Sequence, residues 1–192
     1  AEVAARTHLP FVFTSTDQVY RGDRRDWSEV DDPDPVNTYG RQKAAAEEAV
    51  RSVHPDAVVA RLSLMLGPHP DGRGYLDKLT RQVLAGETLT LFTDEFRSAL
   101  HARDAARGLL AALNWPGGIY NMGGPERLDR LAIARTIARV FHLNHEVLRP
   151  GLQSDVSFHA PRPADVSMDS SKANDMNWRP RPLAEALRDD AP

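Results

Sequence analysis

The feature that most constrains the fold is a short apolar run followed, about 20 residues later, by a helix-forming segment. The run Leu9–Thr14 combines β-branched and aromatic residues, which predicts a buried strand of a parallel sheet. Ser15–Tyr20 continues past its carboxyl end, where ligands bind in open α/β sheets. The loop Arg21–Asp34 is interpreted as solvated surface, and a long helix is predicted from Tyr39 to about Val53. This order favours an α/β fold.

The rest of the chain alternates between predicted strands and helices. The predicted strands cover residues 57–66, 88–92, 96–101, 118–122 and 146–148. The predicted helices cover residues 75–85, 104–113, 129–141, 170–177 and 183–188, with Asp104 as the expected cap of the second one. We therefore expect residues 1–66 to form part of a Rossmann-like core. Residues 67–192 are expected to form mainly a smaller α/β lobe, with strands that return to the core sheet and a binding cleft between the two parts.

Composition excludes several classes of function. The formal net charge is −3 and basic and acidic residues are interleaved, so a nucleic-acid partner is not expected. The sequence contains no cysteine, which excludes disulfides and thiolate chemistry. No apolar run approaches the roughly 20 residues of a membrane span, and the first ten residues are too polar for a signal peptide. A cytoplasmic location is the expectation.

Tyr39 and Lys43 are spaced for proton-transfer chemistry. They lie four residues apart on the predicted helix, and therefore on one face of it. A phenol titrates near pH 10, and a fixed ammonium beside it favours the phenolate. Such a tyrosine can give a proton to a carbonyl oxygen, to which the hydroxyl of Thr16 can add a hydrogen bond. In isolation the same spacing also fits an ordinary surface pair.

Longer motifs extend this pattern over most of the chain. They are FTSTDQVY, PVNTYGRQKAAAEEAV, ARLSLMLGP, DEFRSALHARDAARGLLAAL, GIYNMGG and RPADVSMDSSKANDMNWRPRPLAEALRD. In these motifs the chain resembles the extended short-chain dehydrogenases/reductases, and within them the dTDP-4-dehydrorhamnose reductase-like group. The resemblance implies the C-terminal portion of that Rossmann-like fold with a smaller substrate-binding lobe. It also implies NAD(P)H-dependent reduction of a 4-keto nucleotide-sugar.

The resemblance further implies roles for individual residues. Thr16, Tyr39 and Lys43 match the catalytic residues of the family, and Ser15, Tyr39 and Lys43 match positions that contact NADP or NAD. A homodimer is possible, because the helix that carries Tyr39 often lies at the dimer face in this family.

Substrate contacts are expected from a second set of residues. By the resemblance Asp17, Arg97 and His101 lie near the nucleotide-sugar, although a core or capping role for His101 is also open. Arg61 and Arg97 are candidates for a diphosphate, with ordinary salt bridges as the alternative. Leu64 stands where rhamnose-pathway reductases often have an aromatic residue, which leaves the sugar open. No metal site is expected.

One hallmark of the family is missing from the sequence. The Gly-x-x-Gly-x-x-Gly turn that cradles the cofactor pyrophosphate does not occur, and Ala1–His8 reads as the end of a helix without a cap. We therefore expect the chain to lack the N-terminal part of a family member and to be inactive alone. Two alternatives remain, an epimerase of the same family and a non-catalytic subunit like the regulatory subunit of methionine adenosyltransferase.

Overall fold

Residues 1–191 are described by a computed structural model and form a mixed α/β structure. The helices are α1 Glu2–Arg6, α2 Thr38–Val53, α3 Tyr75–Leu84, α4 Ala102–Ala112, α5 Arg130–Val140, α6 Ser171–Asp175 and α7 Leu183–Ala186. The strands are β1 Val12–Thr16, β2 Val58–Leu62, β3 Met65–Leu66, β4 Leu89–Phe92, β5 Phe96–Arg97, β6 Leu100–His101, β7 Gly118–Met122, β8 Leu128–Asp129 and β9 Leu148–Gly151. In this part of the chain no helix is both long enough and apolar enough to cross a bilayer.

A three-stranded parallel sheet forms the core that was predicted from the first apolar run. Its order is β1-β2-β7, with Val12 opposite Val58 and Val58 opposite Gly118. All five residues of the central strand β2 are buried, as expected for a parallel strand covered on both faces. Helix α2 packs on β1, α4 on β2 and α6 on β7. The α/β class with a parallel sheet is therefore confirmed.

The remaining strands form three two-stranded sheets around a second apolar core. Strands β3 and β6 pair in parallel, as do β4 and β9, whereas β5 and β8 are antiparallel. The amphipathic helices α3 and α5 contribute their apolar faces to this core, which includes Leu76, Leu79, Ile133 and Ile137. These pairs and helices build the wall of the cleft that faces the end of β1.

Several predicted boundaries were wrong for identifiable reasons. The strand predicted for residues 57–66 is interrupted at Ser63, whose hydroxyl leaves the sheet to bond Asp17. The strand predicted for 146–148 is a 3-10 turn at His145–Val147, and strand pairing begins only at Leu148. The first strand begins at Val12 rather than Leu9, which is followed by a proline and is mostly exposed.

The polar loop after β1 is more than solvated surface. Trp27 is buried, and its ring stacks on Tyr20 with the ring centroids 5.0 Å apart. The indole Nε1 of Trp27 donates to the carbonyl of Asp165 at 2.9 Å. Charged side chains such as Arg21 and Asp34 stay exposed and pair with each other. The loop therefore links the end of β1 to the C-terminal segment.

Candidate active site

A cavity of about 600 Å³ lies beyond the carboxyl end of β1, between the core sheet and the smaller sheets. Its lining comes from six parts of the chain, which are Thr16–Gln18, Asn37–Tyr39, Ser63–Leu64, Glu95 with Arg97, Arg130, and Phe158–Pro163. The position agrees with the rule that ligands bind at the carboxyl ends of strands in open α/β sheets. Among the sequence-predicted site residues, Thr16, Asp17, Tyr39 and Arg97 line this cavity.

Thr16 and Asp17 are fixed by the turn that ends β1. Thr16 Oγ1 accepts a hydrogen bond from the backbone N–H of Gln18 at 3.3 Å and donates to Asp17 Oδ1 at 3.2 Å. Ser63 Oγ donates to the other carboxylate oxygen of Asp17 at 3.1 Å. Burial raises the pKa of Asp17 above its usual value, and Arg97 and these hydrogen bonds counter the rise only in part. A buried acid with an elevated pKa therefore adjoins Thr16.

The start of α2 places Tyr39 at the rim of the cavity. The side chain of Asn37 caps the helix by accepting from the backbone N–H of Gly40 at 2.8 Å, and its Nδ2 donates to Gln18 Oε1 at 2.9 Å. Gly40 packs so closely that a Cβ there would collide with the carbonyl oxygen of Gln18 and with Pro35. The Tyr39 side chain remains 49% exposed. The helix start is thus tied to the turn that holds Thr16.

Lys43 lies one helical turn beyond Tyr39 but is not among the cavity-lining residues. Its Nζ donates to the backbone carbonyl of Thr14 at 2.8 Å. The backbone carbonyl of Phe11 accepts a hydrogen bond from Val58 of β2, and along β1 the carbonyls point alternately to the two edges of the strand. The carbonyl of Thr14, three residues later, therefore points to the edge of β1 opposite β2. Within residues 1–191 that edge has no partner strand. The Lys43 ammonium therefore donates to a backbone carbonyl that no neighbouring strand uses, beside the cleft.

Three arginines converge on one buried glutamate at the far wall of the cavity. Glu95 is 0% exposed, and its carboxylate contacts Arg97 at 3.0 Å, Arg130 at 3.1 Å and Arg162 at 2.9 Å. All four side chains line the cavity. Burial lowers the pKa of Arg97, whereas Asp17 and Glu95 act in the opposite direction. One carboxylate for three guanidinium groups leaves this wall with an excess of positive charge, which suits a bound anion.

Ser15 points away from the cavity, which argues against its predicted contact with the cofactor. Its hydroxyl donates to Glu47, and the residue is buried. Successive strand residues point to opposite faces, so Ser15 shares a face with Arg61, its register partner on β2. Arg61 is also buried and forms a salt bridge with Glu47 at 2.7 Å. The structure therefore shows the salt-bridge alternative for Arg61 and gives no support to the diphosphate role.

His101 also lies outside the cavity lining. It caps α4 through Nδ1, which accepts from the backbone N–H of Arg103 at 3.2 Å, and its Nε2 meets Asp190 at 2.7 Å. The side chain is fully buried, so a substrate contact at this position is not supported. The predicted cap Asp104 is inside the helix instead, where its carboxylate accepts from Arg181 Nη2 at 2.9 Å.

Comparison with known proteins decides the family. The family model described as "RmlD substrate binding domain" matches residues 1–190. The chain belongs to this family. A curated relative, dTDP-4-dehydrorhamnose reductase of Mycolicibacterium smegmatis, is 29% identical over 197 residues, which cover 98% of this chain and 59% of the relative. Another, methionine adenosyltransferase 2 subunit beta of Xenopus laevis, is 28% identical over 191 residues, covering 92% of this chain and 55% of that protein.

A solved structure supports the same assignment at the level of the fold. The crystal structure of dTDP-4-dehydrorhamnose reductase from Bacillus anthracis, in complex with NADP, superposes with a TM-score of 0.88 at 20% identity. The match covers 97% of this chain and 66% of the other. The RmlD-family chain therefore spans between about half and two thirds of the length of these proteins.

Sequence reasoning missed three residues that line this RmlD-family site and one buried residue beside it. Glu95, Arg130 and Arg162 form the charged wall, but they lie on three separate segments that only the tertiary fold brings together. Glu47 was also missed, although the sequence carried a signal for it. It follows Lys43 by four residues, so it lies on the same face of α2 as the two predicted catalytic residues.

Proposed function

We propose that the protein containing this chain reduces the 4-keto group of a nucleotide-sugar with NADPH or NADH. The observation that carries the proposal is the cavity itself, which joins Thr16 and Tyr39 on one side to three arginines on the other. This pairing matches a substrate with a reactive carbonyl at one end and a diphosphate at the other. Membership of the RmlD family and the reductase among the relatives support the same reading.

Tyr39 and Thr16 are the proposed partners of the carbonyl oxygen. In this proposal Thr16 donates a hydrogen bond to the oxygen and Tyr39 gives it a proton as the carbonyl is reduced. Tyr39 is half exposed at the cavity rim and Thr16 is buried at its floor, so a sugar ring has access to both from one side. Asp17, the buried acid beside Thr16, is proposed to contact the sugar.

The arginine wall is proposed to hold the diphosphate. Arg97, Arg130 and Arg162 surround Glu95, and a guanidinium fork matches the oxygens of a phosphate. Within residues 1–191, Nη1 of Arg130 is buried without a hydrogen-bond partner. An anionic oxygen from the substrate would satisfy this donor.

The nicotinamide cofactor fits the open side of α2. Bound there, it would supply the hydride for the carbonyl carbon. Tyr39 and Lys43 lie on the side of α2 next to the unpaired edge of β1, and both are accessible enough to reach a ribose hydroxyl. A ribose hydroxyl of the cofactor would then replace the carbonyl of Thr14 as the hydrogen-bond partner of Lys43.

A cofactor-oxidation assay tests the proposed function. The protein is expressed from its complete gene and mixed with NADPH and dTDP-4-dehydro-6-deoxy sugars, and absorbance at 340 nm is followed. We expect turnover in the wild type and a loss of about 10²–10⁴-fold in kcat for Tyr39→Phe. Tyr120→Phe is the matched control, because its hydroxyl bonds Pro116 away from the cavity. Equal rates for wild type and Tyr39→Phe would overturn the assignment of Tyr39.

The second candidate is a regulatory subunit, which the relative of the methionine adenosyltransferase type favours. A protein of this kind would bind a partner enzyme without reducing sugars. The presence of Thr16, Tyr39 and Lys43 at matching positions supports the reductase over this candidate. Co-purification with a methionine adenosyltransferase, together with no oxidation of NADPH, would reverse the preference.

A further inference from the structure

A buried polar cluster lies beside the cavity without lining it. At its centre, Arg61 donates to the carboxylate of Glu47 from Nε at 3.1 Å and from Nη2 at 2.7 Å. Arg61 Nη1 also donates to the hydroxyl of Tyr20 at 2.9 Å, and Tyr20 donates to Asn121 Oδ1 at 2.8 Å. Ser15 adds its hydroxyl to the carboxylate of Glu47. The cluster therefore connects β1, β2 and β7 to α2.

The cluster acts on α2 from the face that carries the proposed reacting groups. Tyr39, Lys43 and Glu47 follow each other at intervals of four residues, so they lie on one side of the helix. At 1.5 Å per residue, Glu47 is about 12 Å along the axis from Tyr39. In the described part of α2, Gly40 and Glu47 are the buried residues of the helix. Lys43 lies between these two buried points, and Tyr39 directly precedes the first of them.

Burying the ion pair of Arg61 and Glu47 costs desolvation free energy, so its presence needs an explanation. The side chains of Arg61 and Glu47 are 1% and 4% exposed. Burial alone would lower the pKa of Arg61, but its hydrogen bonds to Glu47 and the charges of Tyr20 and Glu47 outweigh burial and raise it. Apolar side chains of similar volume often stabilise a fold as well as such a pair does, so a buried ion pair is not explained by stability alone. A directional contact, in contrast, fixes one helix rotation.

We propose that Glu47, held by Arg61 and Ser15, is a positioning residue that sets the rotation and height of α2 so that Tyr39 faces Thr16. The inference rests on the proposed function for its catalytic readout. The carboxylate has three donors from two adjacent strands, so α2 cannot rotate or slide without breaking at least one contact. Because Tyr39 lies only two turns away, such a movement displaces its hydroxyl.

Three variants and one matched control test this inference in the protein from the complete gene. Glu47→Gln keeps the length of the side chain and removes its charge, and Ser15→Ala removes one donor with little risk to folding. The double variant Glu47→Met, Arg61→Met replaces the pair by apolar side chains in case the single charge removal prevents folding. The control is Asp104→Asn, which weakens another contact between a buried acid and an arginine, the one between Asp104 of α4 and Arg181.

The kinetic readouts separate positioning from mere stability. We expect Glu47→Gln and the double variant to lower kcat about 10–100-fold with a smaller change in KM, as for a displaced catalytic group. The pH profile of kcat should also shift, because the surroundings of Tyr39 change. Ser15→Ala should have a smaller effect in the same direction, and Asp104→Asn should change neither property.

A structural readout keeps the test independent of the reaction. Amide hydrogen exchange in residues 38–43 should become at least about tenfold faster in Glu47→Gln and unchanged in Asp104→Asn. Equal kinetic and exchange behaviour of the Glu47 variants and the control would overturn the inference while leaving the reductase proposal intact. If the wild type reduces no nucleotide-sugar, the proposed function fails, and hydrogen exchange alone decides whether Glu47 positions the helix.

Discussion

The ammonium of Lys43 is bonded to the backbone carbonyl of Thr14 at 2.8 Å, on the edge of β1 that has no partner strand within residues 1–191. This contact is a single exposed hydrogen bond, so it adds little to stability. It also holds the lysine next to Tyr39 on the side of α2 where we propose that the cofactor binds. The contact makes Lys43 a residue whose catalytic and structural effects can be separated.

Lys43→Met is the first prediction. We expect a change of less than about 1 kcal/mol in the free energy of unfolding, because one exposed hydrogen bond is lost. In the protein from the complete gene, kcat/KM should fall by about 10²-fold or more, because the ammonium that is proposed to act beside Tyr39 and on the cofactor ribose is lost. Urea denaturation and steady-state kinetics measure the two effects. A large loss of stability with unchanged kcat/KM would contradict the proposed role.

Asp17→Asn is expected to stabilise the fold at neutral pH. Burial raises the pKa of Asp17 in the folded state above its unfolded value, so the folded state holds the proton more tightly. The favourable contribution is therefore present below about pH 4 and is lost as the pH rises through the folded-state pKa. A neutral amide avoids this loss, and we expect a gain of about 1 kcal/mol at pH 7.

The control for this prediction is Asp34→Asn, a change at an exposed carboxylate paired with Arg21. It should leave stability within about 0.5 kcal/mol at every pH. Urea midpoints at pH 7 and pH 4 give the comparison, and the advantage of Asp17→Asn should shrink at the lower pH. An advantage that grows on acidification would show that the sign is wrong.

Glu95→Gln should be strongly destabilising. The fully buried carboxylate is the shared partner of Arg97, Arg130 and Arg162, and its neutralisation leaves three guanidinium groups to repel each other. Breaking a buried ion pair from one side costs about 3–5 kcal/mol. Added pyrophosphate should recover more stability in this variant than in the wild type, as measured by the melting temperature. The exposed Glu87→Gln is the control, and a neutral effect of Glu95→Gln would contradict the charged wall.

Gly40→Ala tests the close contact between α2 and the turn after β1. Alanine is favoured over glycine in a helix by about 1 kcal/mol, yet its Cβ would collide with the carbonyl oxygen of Gln18. We expect a net loss of about 1–3 kcal/mol in unfolding free energy, as for overpacking elsewhere. Ser52→Ala on the exposed side of α2 should be neutral or slightly stabilising. A stabilising Gly40→Ala would mean that the helix start is looser than described.

The sequence predicted those parts of the fold that local pattern decides. The strand at β1, the helix α2 and the amphipathic helices α3 and α5 were recognised from apolar spacing, and the structure has them within a few residues. The end of β2 was missed because Ser63 leaves the sheet for a contact with Asp17, which is 46 residues away. The cap of α4 was misplaced because Asp104 has a distant partner, Arg181, which propensity does not reveal.

The candidate site was predicted in part for a similar reason. Thr16, Asp17 and Tyr39 follow from the end of one strand and the start of one helix, which are readable from the chain itself. Ser15 and Thr16 are neighbours on β1, and their side chains point to opposite faces of the sheet. Which of the two faces the cavity depends on the register of the strand. The charged wall depends on a contact between Glu95 and Arg162, which are 67 residues apart, and no local sequence pattern predicts such a contact.

The fate of the hydride tests the proposed reduction most directly. The protein from the complete gene is incubated with NADPH deuterated at the transferable position of nicotinamide C4 and with a dTDP-4-dehydro-6-deoxy sugar, and the product is analysed by NMR and mass spectrometry. We predict one deuterium at C4 of the sugar for each NADPH consumed, and product formation at least about 10²-fold slower with Tyr39→Phe. Conversion of the sugar without consumption of NADPH, or no conversion at all, would contradict it.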